Sequence, residues 1–253
     1  MDFTAAPAAP MIFPRHSRSR TLVALVLACG AAVLFFHHMP ALDMAVSRVF
    51  FSEVPCPGDK ANAIACGYFP ASRDEMLGRL RSVLQTTPLV IAVALLIVML
   101  VRRWFGTSFF TPWMLSAGAA VWSYAIAVGL LVNVLLKTYS GRPRPAGTLL
   151  FGGDMPFIPV GGTGGLCVSN CSFASGEAAS AFWLLCLVPL FPPEWRRTAA
   201  IAAASYAILT SGLRLAFGAH FLSDIIVAAL LPSIVYALLS LLFDRWFSSA
   251  KAG

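Results

Sequence analysis

"GLRLAFGAHFLSD", residues 212–224, sets Arg214, His220 and Asp224 between two long apolar runs. A charge at the centre of a bilayer costs about 2.5–3.5 kcal/mol even on lenient insertion scales. Three ionisable side chains at one seam therefore need a reason, and the flanking sequence frames it. The chain has 253 residues, 58% hydrophobic and 11% charged, with a mean hydropathy of +0.79. Soluble domains run at about 45–50% apolar and about 25% charged. The composition is that of a membrane protein, and the chain is better counted in spans than in domains.

A helix needs about 20 mostly apolar residues to cross the hydrocarbon core. Six stretches come close: 21–39, 84–101, 111–136, 178–191, 198–217 and 221–243. The fourth is short, and completes a crossing only with part of 172–177 or the proline-bearing end near Pro192. Alternation of apolar and polar residues is absent, which excludes a β-barrel reading, and no period of 20–50 residues repeats. The expected fold is all-α: a polytopic membrane protein of six transmembrane helices. The "VLACG" at 26–30 is similar to a lipoprotein cleavage box at Cys29. The apolar run continues through Phe36, so the first stretch reads as an uncleaved helix.

Lys and Arg near span ends set orientation. Arg15, Arg18, Arg20, Arg102, Arg103, Arg196, Arg197, Arg245 and Lys251 fall on one side. Nine cations also fall on the other, but Lys137, Arg142, Arg144 and Arg214 form a cluster there and Arg73, Arg79 and Arg81 share one long connection. The short, densely basic loops mark the cytoplasmic side, with both termini inside. The resulting plan is a tail (1–20), a membrane domain (21–243) with outer loops 40–83 and 137–177, and a second tail (244–253). Cys56, Cys66, Cys167 and Cys171 all lie on the outer side, while Cys29 and Cys186 lie in spans. Disulfides form outside the cytosol, so Cys56–Cys66 and Cys167–Cys171 pairs fit, with four free thiols as the alternative. No further ligand completes a cysteine metal site.

In the first outer loop, "SRDEMLGRLRSVLQ" (72–85) has Ser72 and Glu75 at capping-box spacing. Met76, Leu77, Leu80, Val83 and Leu84 share a helical face, and Arg79 and Arg81 point away from it. This predicts an interfacial helix feeding the second span, serving as a lid, a headgroup contact or a seal. "GGTGGL" at 161–166 lacks the strand and the Lys-Ser/Thr of a nucleotide loop and reads as a flexible hairpin under the Cys167–Cys171 link.

Three patches converge on the outer side: "KTYSGRPRP" (137–145) after span three, "SFASGEAAS" (172–180) before span four, and the opening stretch. Lys137, Arg144 and Arg214 supply charge and donors for phosphate oxygens, Arg as a planar fork and Lys as a point charge. Arg142 is a possible addition. Ser175 and Gly176 stand at a helix start, where backbone N–H groups and the dipole favour an anion. His220 and Asp224 are four apart, so Asp224 can hold one ring nitrogen and leave the other as a nucleophile or base. The net charge of +7 and pI of about 9.4 have no basic stripe with interleaved aromatics behind them, which excludes nucleic acid as the partner.

These residues resemble the type 2 phosphatidic acid phosphatase (PAP2) family, whose pattern is Lys-x6-Arg-Pro, then Pro-Ser-Gly-His, then Ser-Arg-x5-His-x3-Asp. Here Lys137 precedes Arg144-Pro145 by that spacing, "ASGE" (174–177) takes the second place, and Arg214, His220 and Asp224 take the third. The resemblance implies a metal-independent, cofactor-free membrane lipid phosphatase with a six-helix core. His220 would form a phospho-histidine, Asp224 would orient it, and Lys137, Arg144, Ser175, Gly176 and Arg214 would hold phosphate. Glu177 stands where the family has the histidine that protonates the leaving oxygen. Either Glu177 is kept neutral and serves as the acid, or the substrate needs little leaving-group help. Variants with Glu in this place look similar to the lipid A phosphatase branch. The expected enzyme sits in a bacterial inner membrane and cleaves a lipid A phosphate at the periplasmic face. Polyprenyl diphosphate or phosphatidylglycerophosphate are alternative substrates. A lipid-phosphate binding or transport protein, or a lipid-to-lipid phosphotransferase, are alternatives of other classes.

Overall fold

In the computed structural model, residues 18–57 and 64–250 are described. Arg15, Lys251 and most of the 1–20 tail lie outside them. Five helices are long and apolar enough to cross a bilayer, among the described residues. These are α1 (Arg18–His38), α3 (Glu75–Trp104), α4 (Pro112–Tyr139), α6 (Pro193–Ala216) and α7 (Leu222–Ala250). A sixth apolar helix, α5 (Gly176–Leu190), is shorter. Its last part, Leu184–Leu190, winds as a 3₁₀ helix. That winding rises about 2.0 Å per residue against about 1.5 Å for α, which stretches α5 to about 26 Å.

The interfacial helix and the second span are one element. α3 runs without a break from Glu75 to Trp104. Its cap is Asp74, whose side chain accepts from the Leu77 N–H at 2.9 Å, in place of the expected Ser72–Glu75 box. Pro70–Arg73 forms its own 3₁₀ turn, and the Ser72 hydroxyl donates back to the Phe69 carbonyl at 2.7 Å. Pro88 lies inside α3 and cannot donate to the carbonyl one turn back. That carbonyl, on Leu84, accepts the Tyr206 hydroxyl of α6 at 2.5 Å, so the freed backbone group is satisfied across helices.

α7 is the central helix, packing against α1, α4 and α5. The core where they meet is built from small residues, among them Ala119, Ala120, Ala178, Ala179 and Ala228. Small side chains let helix backbones approach closely where lipid offers no hydrophobic drive for association. Trp183 fills the remaining space, and its indole N–H donates to the Ala120 carbonyl at 2.8 Å. The middle of α4, Tyr124–Leu136, winds as a π-helix directly before Lys137. The outward faces of α1 and α3 carry exposed Leu27, Leu34, Val90, Val93, Ile97 and Leu100, the surface a lipid-facing helix presents.

The first loop holds more than one element. A second helix, α2 (Pro40–Val49), follows α1, and a two-residue hairpin pairs Ser52–Glu53 (β1) with Gly67–Tyr68 (β2). Cys56 and Cys66 are bonded beyond its end, and Cys167 and Cys171 are bonded in the later loop. Phe69, Phe151 and Phe221 form a second cluster over the site end of the helices. The 161–166 glycine stretch runs as an irregular loop beside Gly141, whose carbonyl accepts the Cys167 N–H at 3.1 Å.

Candidate active site

The three motif segments are knitted together through their backbones. Ala146 N–H donates to the Gly218 carbonyl at 3.0 Å, Ser172 N–H to the Arg142 carbonyl at 2.8 Å, and Ser175 N–H to the Asp224 carbonyl at 3.4 Å. Gly218 makes the turn that delivers His220: its φ is +60°, and a Cβ there would lie 2.3 Å from the Phe69 ring. Both the left-handed backbone and the close approach require glycine.

Between these segments lies a cavity of about 360 Å³ lined by Lys137, Arg144, Gly176, Glu177, Arg214 and His220. The structure thus brings six of the sequence-predicted residues to one wall-to-wall site. Ser175 sits fully buried beside it as the cap of α5, accepting the Ala178 N–H at 3.4 Å. A larger cavity of about 500 Å³, apolar and lined by residues such as Ile91, Leu187 and Tyr206, lies lower between α3, α5 and α6 and holds none of these groups.

His220 is 2% exposed. Its Nδ1 lies 2.7 Å from the Ser172 carbonyl oxygen. A carbonyl only accepts, so Nδ1 carries the proton and Nε2 keeps its lone pair. Asp224 Oδ2 is 3.7 Å from Nδ1, beyond hydrogen-bond reach. The Ser172 carbonyl is the nearer partner of Nδ1, with the Asp224 carboxylate at ion-pair distance from the same atom. Asp224 acts one step behind, accepting the Ser172 hydroxyl at 2.5 Å and the Phe221 N–H at 2.9 Å. Burial holds the His220 ring below its ordinary pKa, with Arg214 and Arg144 adding to the fall and Asp224 opposing it.

Arg142 is not a cavity residue. It is 1% exposed, with Nε donating to the Ile158 carbonyl at 2.9 Å and Nη1 to Ser223 Oγ at 2.7 Å. Nη1 also pairs with Asp224, and Nη2 with Asp43 Oδ2 at 2.7 Å. Every nitrogen is committed, which removes it from the possible phosphate ligands. Arg144 remains available. Burial and its neighbour Arg81 lower its pKa from the usual value, while Glu177 and Asp224 raise it.

Glu177 is held between two guanidinium groups. Arg81 Nη2 donates to Oε1 at 2.6 Å and Nε lies 3.2 Å from both oxygens. Arg214 Nε is 3.4 Å from Oε1, an ion pair. Arg81 thus reaches into the cavity from the second turn of α3, on the side away from the apolar face, a place the sequence alone did not assign to it. Its companion Arg79 does stay outside, paired with Glu75. Residues that line the cavity without a prior signal include Arg81, Gln85, Tyr124, Asn133, Asn170 and Ser180. Asn133 explains one glycine: a Cβ on Gly176 would fall 2.4 Å from its Oδ1.

Chemically this is a cationic cup over an imidazole. Four cations, Lys137, Arg144, Arg214 and Arg81, face one carboxylate and one free ring nitrogen. Such an arrangement has the donors and charge that suit a phosphate, beside a ring nitrogen of nucleophilic character. Known proteins match both the sequence and the fold. A lipid A 4'-phosphatase of Rhizobium leguminosarum is 38% identical over 210 residues, covering 83% of this chain and 90% of that protein. A lipid A 4'-phosphatase of Francisella tularensis subsp. novicida is 29% identical over 232 residues, covering 88% and 97%. The crystal structure of a transmembrane PAP2-type phosphatidylglycerolphosphate phosphatase from Bacillus subtilis shares the fold. Its TM-score is 0.55 at 18% identity, over 89% of this chain and 96% of that one. The PAP2 superfamily pattern itself matches residues 116–248, the stretch that carries Lys137, Arg144, Glu177, Arg214, His220 and Asp224. With its three motifs closed around one cavity, the chain belongs to the PAP2 superfamily.

Proposed function

We propose that this protein is an integral-membrane lipid phosphatase that removes a phosphate from lipid A through a phospho-histidine on His220. The observation that carries the chemistry is the Nδ1 contact to the Ser172 carbonyl at 2.7 Å, which leaves Nε2 as the attacking atom. The lipid A assignment rests on relatives that bear that name at up to 38% identity.

In this reading Lys137, Arg144 and Arg214 take the phosphate oxygens as charge builds in the transition state. Arg214 is 4% exposed, and its Nε makes no hydrogen bond, only the 3.4 Å ion-pair contact to Glu177. Buried guanidinium nitrogens are nearly always bonded, so this one is suited to a ligand oxygen. The first turn of α5 at Gly176 adds N–H groups to the same anion. The Nε2 lone pair forms the N–P bond while the P–O bond to the lipid breaks. Water then cleaves the N–P bond and releases phosphate.

The relatives' names give the 4' position, and the leaving group of a phosphate monoester is an alkoxide. Such a group needs a proton as it departs. Glu177 is the one acid in the cavity wall among the described residues. An arriving phosphate competes with Glu177 for Arg214, whose Nε lies 3.4 Å from Oε1. Arg81 keeps the carboxyl in place. This favours the acid role for Glu177 over the reading that no acid is needed.

All six apolar helices cross the membrane in this account, with both termini in the cytoplasm and the site at the periplasmic face of the inner membrane. The membrane domain is 21–243, with 40–83 and 137–177 as the outer loops and the tails 1–20 and 244–253 inside. The test is inorganic phosphate release from lipid A by detergent-solubilised protein, beside polyprenyl diphosphate and phosphatidylglycerophosphate. Release from lipid A that His220→Ala abolishes is expected. No release from any of the three contradicts a hydrolase, and phosphate appearing on a second lipid identifies a transferase.

A further inference from the structure

Behind His220, on the side away from the cavity, lies a buried charge relay that reaches into the first loop. Arg142 sits between Asp224 and Asp43, with side-chain exposures of 2%, 0% and 0%. Asp43 belongs to α2, 99 residues before Arg142 in sequence. It accepts three donors: Arg142 Nη2 at 2.7 Å, Ser223 Oγ at 2.6 Å and Ser223 N–H at 2.8 Å. Ser223 precedes Asp224, so Asp43 holds the start of α7 both directly and through Arg142.

Burying an ion costs several kcal/mol, and apolar side chains of similar volume are often at least as stable. Two carboxylates and one guanidinium at this depth are therefore not what packing alone selects. Their charges also do not cancel. One guanidinium serves two carboxylates, which leaves one net negative charge directly behind the imidazole.

We infer that Asp43 is a positioning residue for the phosphoryl-transfer step, and that the first-loop helix α2 is thereby part of the catalytic apparatus. This rests on the reading of His220 as the nucleophile. Asp43 fixes Arg142, Arg142 fixes Asp224, and Asp224 fixes Ser172 through its hydroxyl at 2.5 Å. The Ser172 carbonyl then sets the ring. When Nε2 bonds to phosphorus, the ring becomes a cation that still carries its Nδ1 proton. The net negative charge of the relay offsets that cation. Asp43 matters because without it Arg142 would fully neutralise Asp224.

The test uses full-length, monodisperse protein in detergent with lipid A as substrate. Asp43→Asn keeps the shape and removes the charge. Partners that orient a metal-bound histidine are worth about 10–100-fold, and by analogy a fall of that size is expected in kcat, with KM within about twofold. The ring is faced by Asp224 behind, by Lys137, Arg144 and Arg214 in the cavity wall, and by Glu177 and Arg81 across it. Removing Asp43 leaves this set more positive, so the acid limb of kcat against pH is expected to move to lower pH. Ser223→Ala, which deletes one donor to Asp43, is expected to lower kcat by a smaller factor in the same sense, and it serves as the test where Asp43→Asn is not monodisperse. Unchanged kcat per folded molecule, a loss confined to KM, or an unmoved acid limb would each overturn the inference. Silent wild-type protein overturns the hydrolase reading instead. Active wild type, silent His220→Ala and an unaffected Asp43→Asn overturn this proposal alone.

Discussion

At the scale of single residues, the site turns on the protonation of two groups. His220 attacks only as the neutral ring, and burial lowers its pKa from 6.5. The ring is therefore free at neutral pH, and activity should fall only as pH drops through a value below about 6.5. The same shift acts on stability with a definite sign. The unfolded chain takes up the proton first as pH falls below about 6.5, so stability is lost between there and the lower folded value. Melting temperature in detergent should thus drop from pH 7.5 to pH 5.5, and less so in His220→Gln. Equal drops in both proteins would remove His220 from the account. Glu177 is the second group. General acids contribute about 10²–10⁴-fold, so Glu177→Gln should lose at least about a hundredfold in kcat on lipid A. A loss under about threefold would restore the reading in which no acid is required.

At the scale of elements, what could be read in advance depended on spacing. Lys137 to Arg144 and Arg214 to His220 to Asp224 lie within single segments, and their separations carried information directly. Groups that act through the fold did not. Arg81 lies on the polar side of an amphipathic stretch, where a solvated arginine leaves the same pattern. Asp43 is a lone acid in a loop, and the Ser172 acceptor is a backbone carbonyl that any residue type supplies. The Asp74 cap was overlooked because Ser72 and Glu75 fit a commoner pattern. The helices themselves were legible, since apolar length marks them, and so was the shortness of α5. The loops also carry an energetic prediction. The chain-entropy model gives about 2 kcal/mol for the Cys167–Cys171 closure and about 3 kcal/mol for Cys56–Cys66. Cys171 is followed by Ser172, the residue that sets the His220 ring. Cys167→Ser/Cys171→Ser should therefore lower kcat more than Cys56→Ser/Cys66→Ser, although the latter pair closes the longer loop. The reverse order in a phosphate-release assay would count against the Ser172 contact.

At the scale of the whole molecule, a chain that exposes apolar faces on α1 and α3 gathers the ionisable groups of its site at one end of the helices. The opening seam is explained in these terms. Arg214, His220 and Asp224 are 4%, 2% and 0% exposed, so none of them meets acyl chains and the protein solvates all three. Helix order sets a sidedness that can be measured. In cells, a membrane-impermeant thiol reagent should label Glu75→Cys, beside the site end of α3. It should spare Ser108→Cys, in the opposite loop, until the membrane is opened. Labelling in the reverse order would place the site in the cytoplasm. The most direct measurement of the central claim is an alkaline quench of wild-type protein turning over lipid A labelled in its 4'-phosphate, followed by peptide mapping. The account predicts phosphate bound to His220 Nε2 and none in His220→Ala. Steady turnover in His220→Ala, or label on any other residue, would contradict it.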